Sequence, residues 1–234
     1  MDIKEINKKQ EALKIKYLES RIIDEEIVEK AIVFFNQYYN LVEHKFTRED
    51  MDKICNLDFS IKLDFLHWTA INPQNENDVN KFYRNTPFEF FKNLLKNMDI
   101  MHYIEIIDKV ILPLLKKNNV KTVLDYGGGS GYQAILLHKL GYKITFSEMN
   151  KLSVEWMRYI TKELNLNIEV IDLVESKIEN NYDVIIFKDV LEHLVNPKPI
   201  INILQSKTKK LIIIPNKVER SEDYLPMHFP YSIE

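Results

Sequence analysis

Four of the five glycines in this 234-residue chain fall in one short stretch, Asp125-Tyr126-Gly127-Gly128-Gly129-Ser130-Gly131. A chain so sparing of glycine keeps it where the backbone needs positive φ or must come close to another group. Such a loop, following a short apolar run, can offer backbone N–H groups to a ligand. Acidic residues then recur at the ends of the following apolar runs: Glu148, Asp172 and Asp189, with Glu192 and His193 just beyond the last. A phosphate cluster would be ill served by carboxylates at every strand end. A ligand whose hydroxyls and amines need acceptors would be well served.

The spacing separates two familiar phosphate-binding loops from this one. A dinucleotide fingerprint places a third glycine where Tyr132 stands here, and that glycine is what allows close helix packing at the pyrophosphate. No Gly-Lys-Ser/Thr follows, so a P-loop is excluded. The pattern is Asp-x-Gly-x-Gly-x-Gly, with an acid 17 residues beyond its last glycine.

The elements that must position these residues read as strand, helix, strand from Lys121 onward. Thr122 to Asp125 is a buried strand, Ser130 to Leu140 a helix stopped by Gly141, and Lys143 to Ser147 a second strand. A helix from Lys151 to Leu164 follows, then strands at Asn167 to Ile171 and Tyr182 to Phe187, a helix at Pro197 to Ser206 and a fifth strand at Leu211 to Ile214. Lys207, Lys209 and Lys210 read as a solvated helix end before that strand. Apolar strands alternating with helices predict a parallel sheet covered on both faces.

Before Lys121 the pattern is helical and lacks glycine. Ile27, Ala31, Phe34, Phe35 and Tyr38 recur at helical spacing between about Asp24 and Val42,. Thr47 and Asp50 suggest a capping box opening a short helix through Cys55. Asn72 to Asp78 is polar and reads as a loop. Thr86-Pro87 starts a further helix, and another spans about Asp99 to Lys117 with a kink near Pro113.

Val123 to Gly131 resembles the first motif of the class I S-adenosylmethionine-dependent methyltransferases. Asp183 to Leu194, with its Glu-His-Leu ending, resembles that family's fourth-strand motif, and Pro215-Asn216 is also common there. The resemblance implies an α/β fold: a Rossmann-like, doubly wound, mostly parallel sheet, here shortened at the C-terminus. It implies S-adenosyl-L-methionine as cofactor. Asp125, Gly127, Gly128, Gly129 and Gly131 would wrap its methionine part, Glu148 would take the ribose hydroxyls, and Asp172 beside Leu173 would meet the adenine amino group. Met149, Lys188 and Tyr103 complete the expected cofactor contacts. Asp189, His193 and Tyr83 are the expected catalytic residues, His193 as base and Tyr83, like Tyr103, as part of a lid. No metal is expected, although Asp189, Glu192, His193 and His228 are of the types found in the magnesium cluster of small-RNA 2′-O-methyltransferases.

The chain thus divides into a helical cap, residues 1–98, and a cofactor-binding core, residues 99–234. The expected activity is methyl transfer to a small-molecule substrate in a biosynthetic pathway. Non-methyl chemistry is the alternative: transfer or cyclisation of the aminocarboxypropyl arm, as in azetidine-2-carboxylate synthases, releasing methylthioadenosine. A cofactor-holding protein without turnover and a nicotinamide-dependent dehydrogenase stand further back. Composition sets the remaining expectations. Lys and Arg total 32 against 35 Asp and Glu, with no basic stripe, so no nucleic-acid partner is expected. Apolar runs are too short to span a bilayer, the N-terminus lacks a signal peptide's apolar region, and Cys55 is the only cysteine. No membrane association and a cytoplasmic location are expected, and the oligomeric state is left open.

Overall fold

Five short strands pair side by side, all parallel, in the order β3-β2-β1-β4-β5. They are β1 (Thr122–Tyr126), β2 (Lys143–Glu148), β3 (Glu169–Asp172), β4 (Tyr182–Ile186) and β5 (Thr208–Ile213). The computed structural model describes residues 25–41, 45–54, 63, 66–87, 90–91, 93–94, 107–213 and 229. Chain order reverses between β1 and β4, and in an open parallel sheet a ligand crevice opens at that reversal, beyond the strands' carboxyl ends.

The helices are α1 (Glu25–Tyr38), α2 (Arg48–Ile54), α3 (Glu76–Asn85), α4 (Leu112–Lys117), α5 (Tyr132–Lys139), α6 (Lys151–Glu163) and α7 (Pro197–Ser206). Successive residues of β1 point to opposite faces, as a pleated strand requires. Val123 enters a core with Ile144, Phe146, Trp156 and the α1 residues Phe34 and Phe35. Leu124 enters another with Ile171, Ile185, Phe187 and Leu204 of α7. Both faces are therefore covered, which suits all-parallel pairing. The α1 helix packs on α6 through Phe34, whose ring meets Trp156 edge-on with centroids 5.5 Å apart.

Local chemistry explains the helix ends. Thr47 N donates to Asp50 Oδ2 at 2.9 Å and Asp50 N to Thr47 Oγ1 at 3.3 Å, the reciprocal capping that the spacing predicts for α2. Pro113 at the start of α4 lacks an N–H, so the α-helical bond to the carbonyl four residues back is lost. The chain widens there into a π-helical turn, Ile107–Ile111. Two expectations change. The polar Asn72 to Asp78 stretch is not all loop: Asn75 accepts from Asp78 N and caps α3, so a helix begins inside it. Lys209 and Lys210 lie in β5, not beyond a helix end, and Lys210 Nζ donates to the Asn118 and Asn119 carbonyls at 2.9 and 2.8 Å. Among the described residues no helix is long and apolar enough to cross a membrane.

Candidate functional site

A cavity of about 650 Å³ opens at the carboxyl ends of the strands, lined by the glycine loop, Asp125, Glu148, Lys188 and His193, with Tyr83 of α3 on its wall. The loop is a strained turn that only glycine tolerates at several points. Gly127, Gly129 and Gly131 have φ of 66°, 58° and 76°. Gly128 is there for space instead, because a Cβ would lie 2.6 Å from the Phe146 ring and 2.8 Å from Asp125 Oδ2. At Gly131 a Cβ would come within 1.9 Å of Met157 Sδ. Gly131→Ala is therefore expected to lower unfolding free energy by about 1–3 kcal/mol through overpacking and positive φ, read from the midpoint of a urea denaturation curve. An unchanged midpoint would show that α6 yields at no cost.

Ser147 and Glu148 at the end of β2 hold this turn in place. Gly127 N and Gly128 N donate to Ser147 O at 2.8 and 3.2 Å. Glu148 Oε2 accepts from Gly129 N at 2.9 Å, and Oε1 accepts from Met149 N and Asn150 N at 2.6 and 2.9 Å. Three backbone donors thus fix the carboxylate facing the cavity. Beneath Gly128, Asp125 is only 2% exposed. Gln133 Nε2 donates to its Oδ1 at 2.8 Å, while Oδ2 has no hydrogen-bond partner. Burial pushes the Asp125 carboxyl up to about 7, with the Glu148 charge adding to it against the Gln133 hydrogen bond and Lys188,.

The chain past β4 turns sharply at Asp189, whose φ is 51°, and Lys188 Nζ pairs with its carboxylate. A 3₁₀ turn, Leu191–His193, then presents His193. Its Nδ1 lies 2.9 Å from the Tyr83 hydroxyl, and the two rings meet edge-on with centroids 4.9 Å apart. Tyr83 is 6% exposed and packs with Val79, Phe82 and Met149.

The structure thus gathers Asp125, the first three loop glycines, Glu148, Met149, Leu173, Lys188, Asp189, His193 and Tyr83 around one cavity. Gly131 stands behind it as the cap of α5. Asp172 is buried and its carboxylate is engaged by Arg84 of α3; the cavity is lined by its neighbours Leu173 and Val174. Tyr103, Cys55, His228 and Pro215-Asn216 lie outside the described residues. Among the described residues no three His, Cys, Asp or Glu are grouped to hold a metal.

Sequence reading missed Arg84 and Asn150. Asn150 caps α6 by accepting from Ser153 N, and its Nδ2 donates to the Tyr83 and Thr86 carbonyls, both at 2.8 Å. Only the Asn75–Asp78 capping pair could have announced the helix that carries Tyr83 and Arg84 together.

The donor set fits a cationic nucleoside such as S-adenosylmethionine. Glu148 offers acceptors to hydroxyls, the loop leaves room for close approach, and Asp125 on the lining has an unpartnered Oδ2 whose ionised form a cationic ligand would favour,.

Residues 100–215 match the family model described as "Methyltransferase domain". A ribosomal RNA small subunit methyltransferase G of Borrelia turicatae (strain 91E135) is 32% identical over 115 residues, covering 46% of this chain and 55% of that protein. The protein of the same description from Borrelia recurrentis (strain A1) is 30% identical over 103 residues, covering 42% and 48%. The chain therefore spans about half the length of the curated relatives it matches. Among solved structures, magnesium protoporphyrin IX methyltransferase from Synechocystis PCC 6803, with S-adenosylhomocysteine bound, is 22% identical with a TM-score of 0.42 over 67% of this chain and 68% of that one. The Borrelia relatives overturn the expectation of no nucleic-acid partner. That expectation came from balanced charge and the lack of a basic stripe along the sequence, which are blind to charges the fold gathers on one face and to recognition through shape and stacking.

Proposed function

Since this chain belongs, over residues 100–215, to the class I S-adenosylmethionine-dependent methyltransferases, we propose that it transfers the cofactor's methyl group to a small-molecule acceptor in a biosynthetic reaction. The observation that carries the proposal is that one cavity is lined by the glycine loop, Glu148 and the Tyr83–His193 pair together. S-adenosylmethionine, when bound, supplies a methyl group on a sulfonium whose neutral thioether leaves readily. The protein's work is then positioning the acceptor in line and handling its proton.

Each residue has a task in that reading. Glu148, oriented by three amides, accepts from the ribose hydroxyls. Asp125 balances the cofactor's positive charge. Met149 and Leu173 wall the nucleobase. With Nδ1 donating to the Tyr83 hydroxyl, the His193 ring is held at a set angle and Nε2 carries the lone pair that takes the acceptor's proton. The Lys188–Asp189 pair, also on the lining, meets the acceptor's polar groups.

Glu148→Ala should weaken cofactor affinity by about 1.5–3 kcal/mol, the range for hydrogen bonds to a charged group, measured by calorimetry. Unchanged affinity would mean that the ribose lies elsewhere.

A second reading draws on the Borrelia relatives, which are described as ribosomal RNA methyltransferases: the acceptor would then be a nucleotide of small-subunit ribosomal RNA. Incubation with methyl-labelled cofactor decides among the readings. Label in a cell extract's small-molecule fraction supports the first, and label in ribosomal RNA alone replaces it with the second. Methylthioadenosine released without any acceptor would replace both with aminocarboxypropyl chemistry.

A further inference from the structure

The guanidinium of Arg84 meets the Asp172 carboxylate fork to fork. Nη1 donates to Oδ1 at 2.9 Å and Nη2 lies 2.8 Å from Oδ2. Nη1 also donates to the Met149 carbonyl at 2.8 Å, and Val174 N donates to Oδ1 at 3.0 Å. With Asp172 only 3% exposed, this is a water-poor, two-point charged contact of the strong kind.

We propose that Asp172 serves as the anchor of Arg84 and not as a contact to adenine, and that the pair is a positioning device that holds α3 over the cavity and keeps Tyr83 beside His193. The proposal rests on the reading of the cavity as the S-adenosylmethionine site. Tyr83 and Arg84 are consecutive on α3, so their side chains diverge by about 100° around the helix. One reaches the β4 side of the cavity and the other reaches the end of β3. Asn150 binds two carbonyls at the carboxyl end of the same helix, groups that no further turn of α3 would satisfy. The helix is thus clasped at its last turn by the ends of β2 and β3, on either side of the residue that meets His193. An adenine amino group seeking Asp172 would find Oδ1 filled by Arg84 and Val174 N, Oδ2 shared with Arg84 Nη2, and the residue itself off the cavity's lining,. The base is instead left to Leu173, Val174 and Met149, which line the cavity, and the 6-amino group is not read by a carboxylate.

This carries a specificity consequence. S-adenosylhomocysteine and S-inosylhomocysteine, which differ at the amino group, should bind the wild-type protein within about threefold of each other. In calorimetric titrations, Arg84→Met and Asp172→Asn should each weaken both ligands by the same factor, roughly tenfold or more. The double variant, which leaves no charge buried alone, should be no worse than either single one. Hydrogen exchange should quicken in α3 of the single variants while the sheet amides stay protected. The His193 imidazole titration followed by NMR in Arg84→Met should match that in Tyr83→Phe. A loss in Asp172→Asn confined to the adenine ligand would overturn the proposal, as would unchanged α3 exchange in Arg84→Met. If wild-type protein binds neither ligand, the cofactor reading fails instead, and the exchange and NMR measurements still decide whether the clasp exists.

Discussion

His193→Ala is expected to lower kcat for methyl transfer by about 10²–10⁴-fold, the usual contribution of a positioned general base, while cofactor affinity changes little. The histidine lines the cavity from the turn past β4, so its loss removes proton transfer and leaves Glu148 and Asp125 in place. Tyr83→Phe should give a smaller loss of the same kind. The ring stays packed among Val79, Phe82 and Met149, but the 2.9 Å contact that sets the imidazole's angle disappears. The two changes act through one group, so the double variant should be no slower than His193→Ala alone. The base must be neutral to act, so an acid limb in the wild-type pH–rate profile should be missing from His193→Ala. Single-turnover rates across pH give both tests. Full turnover in His193→Ala would remove the histidine from the chemistry.

The sheet and the glycine loop were legible in the sequence because their causes are local. Alternation of apolar strands with capped helices sets the order of elements, and a cluster of glycines in a glycine-poor chain marks a turn that side chains cannot make. Glu148 was legible for the same reason: it ends the strand beside the loop. What escaped was long-range. Nothing within a few residues of Asp172 tells that Arg84, 88 positions earlier, reaches it, because the pairing exists only once α3 docks on the ends of β2 and β3. The helix itself was obscured by Asn72 to Asp78, whose composition suits a loop, and a capping asparagine looks like any other polar residue until its partner amide is in place. Lys209 and Lys210 misled in the opposite sense: they lie in β5, the last strand of the described sheet, and lysine is tolerated in a strand that ends a sheet. Charge misled most, since neither a balanced sum nor an even run along the sequence tells which charges the fold brings to one face.

Asp125→Asn should raise the stability of the ligand-free protein at pH 8 and weaken its hold on S-adenosylmethionine. Both effects come from one buried carboxyl. Its folded-state value is pushed up to about 7 from 3.8, so between those pH values the unfolded chain gives up the proton while the native protein keeps it. Stability from this group therefore falls as pH rises from about 4 to 7 and stays low above that, by roughly 4 kcal/mol at the upper bound of 1.36 kcal/mol per unit. The asparagine keeps the acceptor for Gln133 Nε2 and turns an amide toward the cavity in place of the unpartnered Oδ2. Chemical denaturation at pH 5 and pH 8 should show wild type losing stability relative to the variant as pH increases. Cofactor binding should run the other way. A cation beside Asp125 favours the ionised form, so wild-type affinity should climb between pH 6 and 8, and the variant's should be weaker with little slope. Equal stability differences at the two pH values would mean that the carboxyl titrates normally. A cofactor affinity unaltered by the substitution would place the positive charge of the ligand away from β1.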